Sequence, residues 1–208
     1  MSIVQCMHDQ ARGEPGLRER RAANTAAQII DLARHWVIER GLNGFTVDEL
    51  CDEVGISRRT FFNYFAKKEF AVLGVRRKDA AHDAAVARFL DSTVPLPEAL
   101  AELAIDRWES LGLSRTEHAR FPEMLEREPQ LFTHLSEFAA MLEHDDIALA
   151  AQRDGLEPTN HRIVVVVQTL DALVRASARE FAETDTATDF GTIMRARVAT
   201  LRDAFTTQ

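Results

Sequence analysis

"FTVDELCDEVGISRRTFFNYF", residues 45–65, decides the architecture. Thr46 followed three positions later by Glu49 has the form of a capping box, so a helix starts there. It carries Leu50, Cys51 and Val54 inward and stops at Gly55, where tolerance of positive φ lets the chain reverse. Ser57 can cap a third helix almost at once. Two short helices joined by a tight glycine-bearing turn form a helix-turn-helix. Leu50, Val54, Ile56, Phe61 and Phe65 can build the small core between them, which leaves Arg58, Arg59, Thr60, Asn63 and Tyr64 facing outward. Upstream, Ala26, Ile29, Ile30, Ala33 and Val37 recur at helical spacing from Asn24 to Arg40 and predict a first helix that ends at Gly41.

The outward residues belong to a basic island on an acidic chain of 208 residues with formal net charge -8. Residues 57–78 hold seven basic residues against one acid, Glu69, whereas residues 81–208 hold 12 Lys+Arg against 22 Asp+Glu. Such a stretch suggests an anionic partner met at one end of the molecule. An arginine near the start of a recognition helix can make a bidentate contact to guanine O6 and N7, and Ser, Thr, Asn, Tyr and Lys can hold phosphates. On this reading the phenylalanines are scaffold and the basic residues meet DNA. "RERR", residues 18–21, precedes the predicted first helix and reads either as an arm adding phosphate or minor-groove contacts or as a solvated stretch.

Other classes are excluded by what the chain lacks. There is no GxSxG, HExxH, Walker or dinucleotide motif, so an enzyme is not expected. The longest β-branched run, "IVVVV" at 163–167, is far short of the ~20 apolar residues a spanning helix needs. The first residues do not read as a secretory signal, and a cytoplasmic protein is expected. Cys6 and Cys51 match neither a disulfide framework nor a metal motif. His134 and Glu137, three apart, with His144 further on, are too few to hold a metal ion; neither metal nor cofactor is expected.

Beyond residue 67 the pattern stays helical, with helices expected near 68–91, 97–111, 115–127, 130–153, 159–182 and 189–205, about nine in all. "TVPLP" at 93–97 ends the long fourth helix, and Pro122, Pro129 and "RDGLEP" at 153–158 interrupt later patterns. The valine run continues at helical spacing through Leu170 and Val174, so it reads as helix although its propensity favours strand. An all-α protein is therefore predicted: a flexible tail over 1–16, a DNA-binding domain over 17–67, and a helical domain over 68–208.

Gly41, the Thr46 start, the "VGIS" turn at 54–57, "RRTFFNYF" at 58–65 and "KKEF" at 67–70 together resemble the TetR family of bacterial transcriptional regulators over about residues 24–75. The family's common Pro-Ser before its lysine is Ala66-Lys67 here, and "RTFFNYF" stands where "TLYYHF" is commoner, so base preferences do not transfer. With 22 arginines to three lysines, the variant resembles an actinobacterial subgroup. The resemblance implies phosphate contacts from Thr46, Ser57, Thr60, Tyr64 and Lys68, and base contacts from Arg58, Arg59 and Asn63. It also implies a homodimer through the last two helices on a pseudo-palindromic operator, and a repressor released by a small molecule. Lining residues for that effector would be Trp108, Phe121, Met124, Phe138 and Met141, with Gln168 and Asp171 as polar groups. The alternative is a DNA-binding regulator that is constitutive or protein-controlled and takes no small ligand.

Overall fold

Ten α-helices and one short 3-10 turn make up the described residues, which are 17–77, 80–111, 115–184 and 188–206 of a computed structural model. In chain order they are α1 (Leu17–Arg40), the 3-10 turn (Leu42–Gly44), α2 (Val47–Val54), α3 (Arg58–Tyr64) and α4 (Lys68–Leu73). The remainder are α5 (Ala80–Asp91), α6 (Leu96–Ser110), α7 (Arg115–Arg127), α8 (Pro129–Asp154), α9 (His161–Glu183) and α10 (Phe190–Thr206).

Local chemistry sets the first helices. The Glu49 N–H donates to Thr46 Oγ1 at 3.2 Å, and the Thr46 N–H donates to Glu49 Oε2 at 2.7 Å, completing the capping box of α2. Gly55 ends α2 in the left-handed region at φ 75°, and the Ile56 N–H returns to the Cys51 carbonyl at 2.9 Å. Ser57 Oγ then accepts the Thr60 N–H at 3.1 Å and starts α3. The valine run is helical within α9, with Ile163, Val167 and Leu170 buried.

Three sequence expectations are corrected. α1 begins at Leu17, so residues 18–21 are its opening turns rather than an arm ahead of it; the tail over 1–16 lies outside the described residues. Pro122 lies inside α7, which runs on past it. The single helix expected over 68–91 is two, because α4 stops at Gly74, φ 76°. After that stop the Val75 N–H bonds Phe70 O at 2.8 Å and the Arg77 N–H bonds Tyr64 O at 2.8 Å. The chain thus returns along the end of α3. Any Cβ at Gly74 would stand 2.9 Å from Arg34 Nη2, so the position is crowded as well as left-handed.

Two hydrophobic clusters form. The first joins α1 through α4 around Trp36, Phe45, Leu50, Phe61 and Phe65, and it also takes in Met124 of α7 and Leu131 of α8. Trp36 and Phe45 meet edge to face at 5.6 Å. The second cluster joins α5, α6, α8, α9 and α10 around Phe89, Leu103, Ile163, Val167 and Met194. Across it, the Arg107 guanidinium donates to both Asp146 carboxylate oxygens at 2.7 Å, a bidentate pair from α6 to α8. Arg115, at the start of α7, donates to the carbonyls of Phe181, Thr184 and Thr188, tying α7 to the end of α9.

α8 enters both clusters, the first with Leu131 near its start and the second with Ala150 and Ala151 near its end, and the α1–α4 region is fastened where α7 turns into α8. Glu128 Oε1 accepts the Leu42 N–H at 2.9 Å, Lys67 Nζ lies 2.8 Å from His134 Nδ1, and the rings of Phe70 and Phe138 are 6.1 Å apart.

Candidate nucleic-acid interface

α3 is held from behind. Phe61 and Phe65 are fully buried, their ring centres 5.7 Å apart, so the inner face of this two-turn helix is anchored by large rings. On the outer face Arg58, Arg59 and Asn63 are exposed, while Thr60 and Tyr64 are half-buried. Phe62 departs from the scaffold role expected of the phenylalanines: it is 36% exposed and stands edge-on to Phe61 at 5.3 Å.

The flanking hydroxyls are shared between capping and the surface. Thr46 Oγ1 donates to Glu49 Oε2 at 2.8 Å, and Ser57 Oγ and Thr60 Oγ1 are 2.8 Å apart. Thr46, through its hydroxyl first and its amide second, holds the Glu49 carboxyl below the usual carboxylate range. Lys68 has an engagement that the sequence does not announce. Its ammonium donates to Leu42 O at 2.7 Å and Phe45 O at 2.8 Å, which fastens the α1–α2 connection to α4 and leaves one of three N–H bonds for an outside acceptor.

Two residues of the surface escape motif reading. Asp48, in the first turn of α2, accepts two bonds from Arg58 Nη1, both at 2.7 Å. Arg77 places its guanidinium 3.3 Å from the Phe62 carbonyl while its own N–H caps Tyr64 O, so a cation sits at the C-terminal end of α3. The signal for Arg77 was its place in the basic run; for Asp48 the sequence held none, because its partner lies across the turn in α3. Together the face offers two guanidinium groups and one carboxamide to base edges, with hydroxyls and an ammonium beside them, the division of labour that groove reading requires.

The residues expected to line an effector site fall into separate places. Trp108 stacks on Phe190 at 4.0 Å and meets Phe181 edge to face at 5.8 Å in the second cluster. Met124 is buried in the first cluster, with Phe121 and Phe138 against it. Met141 is 48% exposed. Gln168 is exposed and donates to Glu143 Oε1 at 2.8 Å. Half-buried Asp171 lies near Asp146 and Glu143, and burial first, then those two charges, raises its carboxyl above the usual range. Separately, a surface groove of about 510 Å³ runs between α9 and α10, walled by Leu173, Ile193, Ala196, Leu201 and Ala204. The Glu180–Arg197 ion pair, 2.6 Å, closes one side. Among the described residues no group of three or more His, Cys, Asp or Glu could hold a metal, and no helix is long and apolar enough to cross a membrane.

Residues 29–70 match the family of bacterial regulatory proteins, tetR family, a match that runs from within α1 to within α4 and contains the helix-turn-helix. The HTH-type transcriptional regulator TcmR of Streptomyces glaucescens is 26% identical over 181 residues, covering 82% of this chain and 80% of that protein. Among solved structures, the probable transcriptional regulatory protein RHA5900 is 19% identical, with a TM-score of 0.41 over 88% of this chain and all of that one.

Proposed function

We propose that this helix-turn-helix chain is a TetR-type, sequence-specific DNA-binding regulator acting in the cytoplasm as a homodimer, a repressor released from a pseudo-palindromic operator by a small molecule. The observation that carries the reading is the outer face of α3, where Arg58, Arg59 and Asn63 are exposed on a fully buried aromatic backing. Arg58, Arg59 and Asn63 read bases. Thr46, Ser57, Thr60, Tyr64 and the remaining N–H of Lys68 hold phosphates. The "RTFFNYF" helix and the arginine-rich composition keep the actinobacterial subgroup within this reading.

Dimerisation supplies the second half-site, one helical turn or ~34 Å away. The groove between α9 and α10 supports it, since its apolar walls are open to solvent and a two-fold interface buries the same patch on both copies. An effector among Trp108, Phe121, Met124, Phe138, Met141, Gln168 and Asp171 would act only by favouring one arrangement of the helices over another. The break at Gly74 removes a rigid rod from 68 to 91 as the transmitter; α8, whose start lies in the first cluster and whose end lies in the second, takes its place. A regulator without a small ligand is the second reading, favoured by the dispersal of those residues between two packed clusters.

Selection of duplexes from a randomised pool followed by binding titrations tests the DNA half. Arg58→Ala and Arg59→Ala should each weaken operator binding by about 1–3 kcal/mol and relax preference at one position; retention of the wild-type preference by both would refute it. A thermal-shift screen decides the effector half, because a ligand bound only by the folded state raises stability as RT ln(1 + [L]/Kd).

A further inference from the structure

Asp48 is an acid on the face offered to a polyanion, and its partner is the first arginine of the recognition helix. Both side chains are well exposed, 58% for Asp48 and 60% for Arg58. A single exposed pair adds little to folding, and α2 and α3 are already joined by buried Leu50, Cys51 and Phe61. A favourable helix-dipole site explains an acid in the first turn of α2. It does not explain why Arg58 is seated on that acid.

The form of the contact is informative. Nη1 alone reaches Oδ1 and Oδ2, each at 2.7 Å, so the bond is end-on and the Nη2–Nε edge of the fork stays open. The guanidinium carbon also stands 5.8 Å from the centre of the Phe62 ring. The side chain is therefore held at two places before any partner arrives, and its ordering entropy is already spent. Two parallel N–H groups on one edge are what guanine O6 and N7 accept. A phosphate, by contrast, must approach a carboxylate and compete with it for the same cation.

Resting on the DNA-reading function above, we propose that Asp48 is a specificity-determining positioning residue: it holds Arg58 by Nη1, presents the Nη2–Nε edge to guanine, and disfavours capture of Arg58 by phosphate. Removing the carboxylate frees Arg58 for non-specific contacts and unfixes its fork.

The test uses the full chain and two duplexes, the selected operator and a scrambled sequence, followed by fluorescence anisotropy at fixed salt with Asp48→Ala, Arg58→Ala and the double variant. Asp48→Ala should tighten binding to the scrambled duplex, lower the operator-to-scrambled ratio about tenfold, and flatten preference at a G·C pair in each half-site. In the Arg58→Ala background the same change should leave the ratio alone. Thermal melts of Asp48→Ala close to wild type would show that the effect is not misfolding, and Asp48→Glu, which can still reach Nη1, should recover part of the ratio. If Asp48→Ala tightens both duplexes equally, or acts the same with and without Arg58, the acid is merely a negative charge and the proposal fails while DNA reading stands. A wild type that selects no duplex at all would overturn the DNA-reading function and this proposal together.

Discussion

The two hydrophobic clusters are made from different materials. The first buries four rings, Trp36, Phe45, Phe61 and Phe65, beside aliphatic side chains; the second buries two, Phe89 and Phe190, beside more alanine, Ala85, Ala99, Ala101, Ala150 and Ala151. α2, α3 and α4 have eight, seven and six residues and bury only one to three side chains each; Phe61 is the ring among these, while Trp36 comes from α1 and Phe45 and Phe65 from the ends of the connections beside α2 and α3. α8 and α9, with 26 and 23 residues, repeat their inward face over many turns, so alanine suffices and lets the helices approach closely. The helix-turn-helix region thus leans on a few large anchors, whereas the helical domain rests on many small ones supplemented by arginine ties.

That contrast can be broken at its strongest point. Phe61→Ala removes a fully buried ring and should cost about 3–5 kcal/mol in chemical denaturation, with the loss concentrated in α1–α4 by hydrogen exchange. A smaller effect is expected in the second region from Asp146→Ala, which strands the Arg107 guanidinium. The loss should be about 2–3 kcal/mol, below the value for a fully buried pair because the Arg107 side chain keeps 20% exposure. Removal of the Thr46 hydroxyl in Thr46→Ala should cost about 1 kcal/mol through the lost cap of α2, read as a lower melting temperature. Asp171→Asn should move stability least. Because burial raises the Asp171 carboxyl in the folded state, folding favours its protonated form, and that advantage, present in acid, is lost as pH rises through the raised value. The asparagine variant should match wild type in acid and be slightly more stable at neutral pH; melts across that range give the answer.

Legibility divides along the same line. Thr46, Glu49, Gly55 and Ser57 act on neighbours within four residues, so the helix-turn-helix could be read from spacing alone, and the inward set of Leu50, Phe61 and Phe65 followed from it. The break at Gly74 could not, because the bond that turns the chain there spans 13 residues, from the Arg77 N–H to Tyr64 O; periodicity alone carried the fourth helix through it. The opening of α1 at Leu17 was hidden by a charged stretch with little apolar pattern. Phe62 looked like its neighbours by type, and only the phase of α3 turns it outward. In the helical domain, the ties that fix the packing span 39 residues from Arg107 to Asp146 and 93 from Glu102 to Arg195. No local pattern records such partners, which is why residues grouped as one lining were found dispersed over two clusters.

The bond from Leu42 to Glu128 gives the molecule an internal reporter. Leu42 is buried, and its amide lies outside the i to i−4 ladder of α1, with a side chain 86 residues away as its acceptor. The bond sits at a crowded joint, since a Cβ on the preceding Gly41 would stand 2.9 Å from the same carboxylate oxygen. The protection of that one proton against deuterium therefore measures whether α7 and α8 are docked on the helix-turn-helix region, separately from whether that region keeps its helices. A molecule that separates at this joint while keeping every helix intact would show rapid deuteration at Leu42 and slow deuteration at Leu50.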